Sequence, residues 1–300
     1  MVASAEIVEN YFNLQSIDEE SLTSKPPYMG GASGAAARVF GGLAVSQAIN
    51  AFTSLYPDYI PHTVNYKFIS PAKVDVPFTY TVTRHDGIAS VSATQDGKTM
   101  GMGHIRYAAA TTDYLDSSPM LCPDYIGDPV DYPNTDELAG IFRGEESTPK
   151  LKAAVRKLEG FGKQVLEVRP VETPTFPQGA IDRTSLWLRI KPEYQERLQD
   201  KDGVNIVSFL SDFAILNVAT EIYSKEKIQF GNAASLHHSL WLHDSAFDPR
   251  DFYLTVVECP VISHGRARLE SYMFNSKRKC VMSIVQEGYV QRNEPGTNKL

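Results

Sequence analysis

The sequence predicts an α+β protein of two units, each an antiparallel sheet wrapped around one central apolar helix. Two observations carry this expectation. A stretch with helical spacing is followed by β-rich runs. That whole set then recurs in the same order, about 174 residues further on and about 180 by its last strand. Identity between the copies is low, so what repeats is the pattern. A helix with one apolar stripe and a sheet with one apolar face bury those surfaces against each other.

The first copy opens with "VFGGLAVSQAINAF" (39–52), where Leu43, Val45, Ala48, Ile49 and Phe52 recur nearer to helical than to strand spacing. It is apolar on most sides, as a buried helix is. The runs "HTVNYKFI" (62–69), "PFTYTVTRH" (77–85), "ASVSATQDG" (89–97) and "KTMGMGHIRYAA" (98–109) follow as strands. Asp96-Gly97 marks a hairpin turn between the last two. Residues 111–150, rich in Pro, Asp and Tyr without periodicity, read as a connecting segment.

Patterning resumes with "KQVLEVRPVE" (163–172) and "TSLWLRIKP" (184–192), both strand-like. The second copy's helix is expected in "SFLSDFAILNVATEIY" (208–223), opening at Ser211-Asp212. Four strands follow it: "ASLHHSLWLH", "DFYLTVVEC", "GRARLESYMF" and "KCVMSIVQEGYV". The expected division is an N-terminal unit over 1–110, a connector over 111–160 and a C-terminal unit over 161–300 ending in a short polar tail.

Bulk properties exclude several function classes. A net charge of −7 argues against nucleic acid as a partner, since phosphate binding needs a basic face. No window approaches the run of apolar residues that a membrane span requires, and the N-terminus lacks the pattern of a signal peptide. Cys122, Cys259 and Cys280 are odd in number and widely spaced, which suggests a reducing compartment without a disulfide framework or zinc site. The expectation is a soluble intracellular protein.

Several side chains invite chemistry. In a regular strand His237 and His238 point to opposite faces, so they cannot share a metal, and no metal site is expected. Strict alternation puts Ala234, Leu236, His238, Leu240 and Leu242 on a core face, with Ser235, His237, Ser239, Trp241 and His243 on the other. His238 then reads as a hydrogen-bonded core residue. "GASGA" (31–35) falls short of a nucleophile elbow and reads as a mobile loop, and "SKRK" (276–279) as a solvated hairpin tip. Asp212, in the first turn of an apolar helix, is either a cap or a carboxylate facing a ligand. Gln286 is an amide inside an apolar strand, which must find partners as structural glue or as an orienting group.

The motifs "RVFGGLAVSQAI", "LEVRPVE", "SLWLRIKP", "SDFAILN", "ASLHHSLWLH" and "VQEG" occur in the order seen in the acyl-CoA thioesterase II family, which the chain resembles from about residue 6 to 292 outside the connector. The resemblance implies a double hotdog fold and hydrolysis of fatty acyl-CoA to free acid and CoA, with no cofactor. It implies catalytic roles for Asp212, Ser235 and Gln286, Asp212 as general base and the other two holding the water. Phe40, Gly41 and Gly42 are expected at the substrate, with helix-terminal amides near the two glycines receiving the oxyanion. The chain departs from the family at His237, where Asp is common, at Asn65, where His is usual, and at "NSKRKC", where Asp-Gly is usual.

A non-catalytic acyl-CoA binding or sensing protein and a hotdog enoyl-CoA hydratase stay open as alternatives. Assembly into a homo-oligomer is expected, because sheet edges otherwise lie exposed. Asn298-Lys299-Leu300 resembles the Ser-Lys-Leu peroxisomal address with one substitution, which points to the peroxisome and an import receptor as partner, with the cytoplasm as the alternative.

Overall fold

Twelve strands pair antiparallel into one continuous sheet in the computed structural model, which describes residues 9–30, 38–109, 117, 120–142, 165–171 and 183–293. The "GASGA" loop, residues 143–164 of the connecting region and the C-terminal Asn298-Lys299-Leu300 lie outside the described residues.

The N-terminal half supplies β1 (Gln15–Ser16), β2 (Ser21–Thr23), β3 (Tyr59–Phe68), β4 (Thr79–His85), β5 (Ile88–Gln95) and β6 (Lys98–Ala109). The C-terminal half supplies β7 (Leu166–Pro170), β8 (Arg183–Ile190), β9 (Phe230–Leu242), β10 (Tyr253–Ser263), β11 (Arg266–Asn275) and β12 (Cys280–Arg292). Across the sheet they run β1-β2-β4-β5-β6-β3-β9-β12-β11-β10-β8-β7. Outward from the β3–β9 seam, both halves therefore follow one order. At the seam Asn65 stands opposite Ser239, whose hydroxyl donates to the Asn65 amide oxygen at 2.9 Å. These residues are 174 apart, the spacing of the sequence repeat, so a local twofold axis passes between them.

The runs expected as strands are strands. Asp96 and Gly97 both have positive φ, 49° and 73°, as a tight hairpin turn between β5 and β6 requires. The short pair β1 and β2 went unforeseen, because strands of two and three residues carry no period.

The first helix forms as expected: α1 (Gly41–Leu55) is buried along nearly its whole length. Its polar residues serve as anchors. The Gln47 amide donates to the Tyr11 carbonyl at 3.0 Å and accepts from the Tyr80 hydroxyl at 3.0 Å.

The second helix differs from expectation. It is not one helix opening at Ser211-Asp212 but two, α2 (Gly203–Leu210) and α3 (Asn217–Lys225), separated by turns over 211–216. Ala214 adopts a φ of 61°, a left-handed conformation that ends regular helix at that point. The apolar spacing runs on through the break, which is why periodicity reads as a single helix. α1 packs on α2 through Gly42, where a Cβ would come within 2.4 Å of the Phe209 carbonyl oxygen, and through the edge-to-face pair Phe40–Phe209. The Ser46 hydroxyl donates to the Asn205 carbonyl at 2.7 Å across the same contact.

Most apolar residues join one core around these helices. A second cluster lies on the outer face of the C-terminal half, where Cys122 and Ile126 of the connector cover Trp187, Leu254 and Phe274. Arg278 fixes this cover by donating to the carbonyls of Ile126 and Pro123 at 2.8 and 2.9 Å. The "SKRK" tip is thus only half solvated: Ser276 and Lys277 are exposed, while Arg278 is a clamp.

Candidate functional site

The two halves meet around an apolar cavity of about 490 Å³. Phe40, Ala44, Tyr66, Phe68 and Met100 line it from the N-terminal half, and Phe213, Leu216 and Phe230 from the C-terminal half. Asp212 and Ser235 border it, and Arg38, Ser70, Asn217 and Thr220 add further polar side chains to its lining.

The helix break places Asp212. Its carboxylate accepts the backbone N–H of Gly42, in the first turn of α1. It is therefore not the first-turn acid of its own helix; it stands at the N-terminus of the other unit's helix. That terminus needs it, because Phe40 offers no side-chain cap and the first turn of α1 holds no acid. Free amides and the helix dipole both favour an anion there. Gly41 leaves room: a Cβ on it would sit 2.6 Å from Asp212 Oδ2.

A bulge places Ser235. Gln286 stands opposite His238 and Glu287 opposite His237, but Gly288 stands opposite Ser235. Leu236 is thus an extra residue in β9. Strict alternation assigns Ser235 to the face away from His238; the extra residue turns it to the inner face beside Asp212. The Ser235 hydroxyl donates to Asp212 Oδ1 at 3.4 Å and accepts from Gln286 Nε2 at 2.9 Å.

Gln286 is fully buried behind these two and does not border the cavity. Its Oε1 meets His238 Nδ1, and His238 Nε2 lies 2.8 Å from Ser211 Oγ. The five side chains form one chain of hydrogen bonds: Ser211, His238, Gln286, Ser235, Asp212. Asp212, Ser235 and Gln286, widely separated in sequence, thus come together, and Gly41 and Gly42 lie against the carboxylate. Phe40 forms part of the cavity wall.

Burial dominates the electrostatics. It pushes the Asp212 carboxyl up to about 7, against hydrogen bonds from Gln286, the Gly42 amide and Ser235 that favour the anion. Burial also holds the His238 imidazole down, to about 4, so it is neutral when Asp212 titrates. His237 lies on the outer face near Lys67 and Glu287, and its imidazole is held below its usual range by partial burial and by the Lys67 charge. Among the described residues, no three His, Cys, Asp or Glu side chains gather as a metal site would require.

His238 is the hydrogen-bonded core residue expected of it, but sequence reasoning missed its link to Gln286 and the part played by Ser211. The signal was present: a polar residue at a core position must have a partner, and Gln286 was another such residue.

A helix within a curled antiparallel sheet, twice over in one chain, is the double hotdog fold. Solved structures agree. The chain is similar to an acyl-CoA thioesterase II from Mycobacterium marinum, with 19% identity, a TM-score of 0.68, and 96% of this chain and 99% of that one covered. It is similar to a hot dog fold protein of unknown function from Alicyclobacillus acidocaldarius, with 17% identity, a TM-score of 0.68, and 96% and 98% covered. It also resembles the tesB protein of Mycobacterium avium subs paratuberculosis, with 18% identity, a TM-score of 0.65, and 96% and 99% covered. At such identities the likeness shows the fold. Residues 141–290 match the family model of the acyl-CoA thioesterase C-terminal domain, half of the chain, and the protein belongs to the acyl-CoA thioesterase family.

Proposed function

We propose that the protein hydrolyses fatty acyl-CoA to free fatty acid and CoA, with Asp212 as the base that activates water. The observation that supports this most is a carboxyl held near neutrality where an apolar cavity meets a helix N-terminus. A base is most effective when its pKa lies near the working pH. The acyl chain lies along the apolar wall, and the thioester carbonyl comes to the polar end.

Water held between Asp212 and Ser235 gives a proton to the carboxylate as its oxygen attacks the carbonyl carbon. The Gly42 amide is already engaged with Asp212. This leaves Gly41, which lines the cavity beside the carboxylate, as the backbone donor to the developing oxyanion. When the tetrahedral intermediate collapses, the C–S bond breaks and the Asp212 proton passes to the departing thiolate. Gln286 acts on Asp212 directly, by a hydrogen bond that favours the anion, and through Ser235: its N–H occupies a lone pair of that hydroxyl and so aims the Ser235 hydrogen at Asp212.

Asp212→Asn keeps a hydrogen-bond acceptor for Gly42 but cannot take a proton. Free-thiol release from a set of acyl-CoA chain lengths should fall by roughly 10²–10⁴-fold in this variant, with acyl-CoA binding retained. In the wild type, kcat should fall as pH drops through about 7 and the carboxylate becomes protonated. Unchanged turnover in the variant rejects the assignment, and acyl-CoA binding without thiol release by the wild type favours a sensing protein.

A further inference from the structure

Gln286 can support Asp212 in only one of its two amide orientations. With Nε2 toward Ser235, the serine oxygen accepts and its hydrogen goes to Asp212 Oδ1. Turned over, the amide would present Oε1 to Ser235 and draw that hydrogen away from the carboxylate. Nothing in Gln286 itself favours one orientation, since the two ends of an amide have nearly the same shape. At the near end the Asp212 carboxylate favours the amide N–H, and at the far end that orientation is held or undone by His238, which is as fully buried as Gln286.

We propose that His238 is a positioning residue for the hydrolysis, holding its proton on Nδ1 and so locking the Gln286 amide with Nε2 toward Ser235. This rests on the reading of Asp212 as the base. A neutral imidazole has one N–H and one bare nitrogen. With the proton on Nδ1, it donates to Gln286 Oε1, and the bare Nε2 takes the Ser211 hydrogen across 2.8 Å. With the proton on Nε2, the bare Nδ1 would demand an N–H from Gln286 and turn the amide over. The single Ser211 hydrogen has two acceptors within reach, the Ser208 carbonyl at 2.7 Å, to which the hydroxyl donates, and His238 Nε2 at 2.8 Å; in the working arrangement it must turn to the imidazole. Ser211 is also the residue next to Asp212 in the helix break. The break thus supplies the carboxylate and, beside it, the hydroxyl that sets the tautomer at the other end of the chain.

His238 does not line the cavity, so its effect falls on kcat and not on substrate binding. His238→Asn keeps an N–H donor near the place of Nδ1, whereas His238→Leu keeps only bulk. The expected result is a loss of about 100-fold in kcat for His238→Leu at unchanged KM, as for a displaced catalytic group. His238→Asn should stay close to wild type, with melting temperatures monitored for both. Equal losses in the two variants, or none in His238→Leu, overturn the proposal.

A second measurement does not depend on turnover. Long-range ¹H–¹⁵N correlation spectra of the wild-type protein at pH 8, with His238 assigned by its absence in His238→Asn, report which ring nitrogen carries the proton. Protonated Nδ1 is expected, and protonated Nε2 overturns the proposal. Because it reads the imidazole directly, this result stands apart from whether Asp212→Asn abolishes hydrolysis.

Discussion

The two units answer one structural problem in two ways. The N-terminal unit keeps its central helix whole over 15 residues, whereas the C-terminal unit interrupts its helix for the turns at 211–216. The whole helix contributes an uncapped N-terminus and an apolar wall. The interrupted one contributes a carboxylate that could not reach that terminus from inside regular helix. Stability and reactivity are thus divided between the copies, and the site exists because they differ.

The largest test of this division concerns charge. The folded protein holds the Asp212 proton more tightly than the unfolded chain does, since burial raises the carboxyl to about 7. A raised pKa gives stability that is complete at acid pH and is lost as pH rises through the interval from the ordinary carboxylate range to about 7. Asp212→Asn escapes that loss. In denaturant melts it should therefore be more stable than wild type at pH 8, by an amount on the order of a few kcal/mol. The difference should shrink as pH falls toward 4. A gain independent of pH would show that the interrupted helix carries no such cost.

The next test concerns the contact between whole and broken helices. Gly42→Ala sets a Cβ against the Phe209 carbonyl, which as backbone cannot step aside. A loss of about 1–3 kcal/mol in the same melts is expected. A neutral result would mean that α1 and α2 are not held together at this point.

The smallest test contrasts one substitution at two places. Ala48 lies buried within α1, so Ala48→Gly should cost about 1–2 kcal/mol through helix propensity and the lost burial of its methyl group. Ala214 sits in the left-handed region, where a side chain is penalised by roughly 1–2 kcal/mol and glycine is not. Offset by the greater freedom of glycine in the unfolded chain, Ala214→Gly should be neutral to stabilising by up to about 1 kcal/mol. Losses of equal size at both positions would remove the distinction between the copies.

The fold was legible because it rests on long periodic elements. α1 and the strands from β3 to β12 carry their period in sequence, and the repeat gives their order twice. The site was only partly legible. Asp212, Ser235 and Gln286 follow from the family resemblance, but composition and spacing do not say how they meet. Two short-range irregularities bring them together, and neither disturbs the apolar pattern. The break at 211–216 passes through residues as apolar as the helices beside it. The bulge adds Leu236, an apolar residue within an alternating run, and an alternating run read without it puts Ser235 on the wrong face. The connector's role was hidden for another reason. Cys122 and Ile126 stand beside Met120, Leu121 and Tyr125, which are exposed, and no period in the segment tells the covering residues from the exposed ones.

The seam between β3 and β9 bears on how the molecule comes apart. His238 pairs across it with Tyr66, so a residue of the hydrogen-bonded chain and a wall residue of the cavity are neighbours on strands from opposite halves. No free strand edge separates the halves there, and neither can open without leaving a row of unpaired backbone groups on the other. The seam is therefore expected to belong to the last cooperative unit to exchange its amide hydrogens. Native-state hydrogen exchange should then show the outer strands opening while the seam amides stay protected.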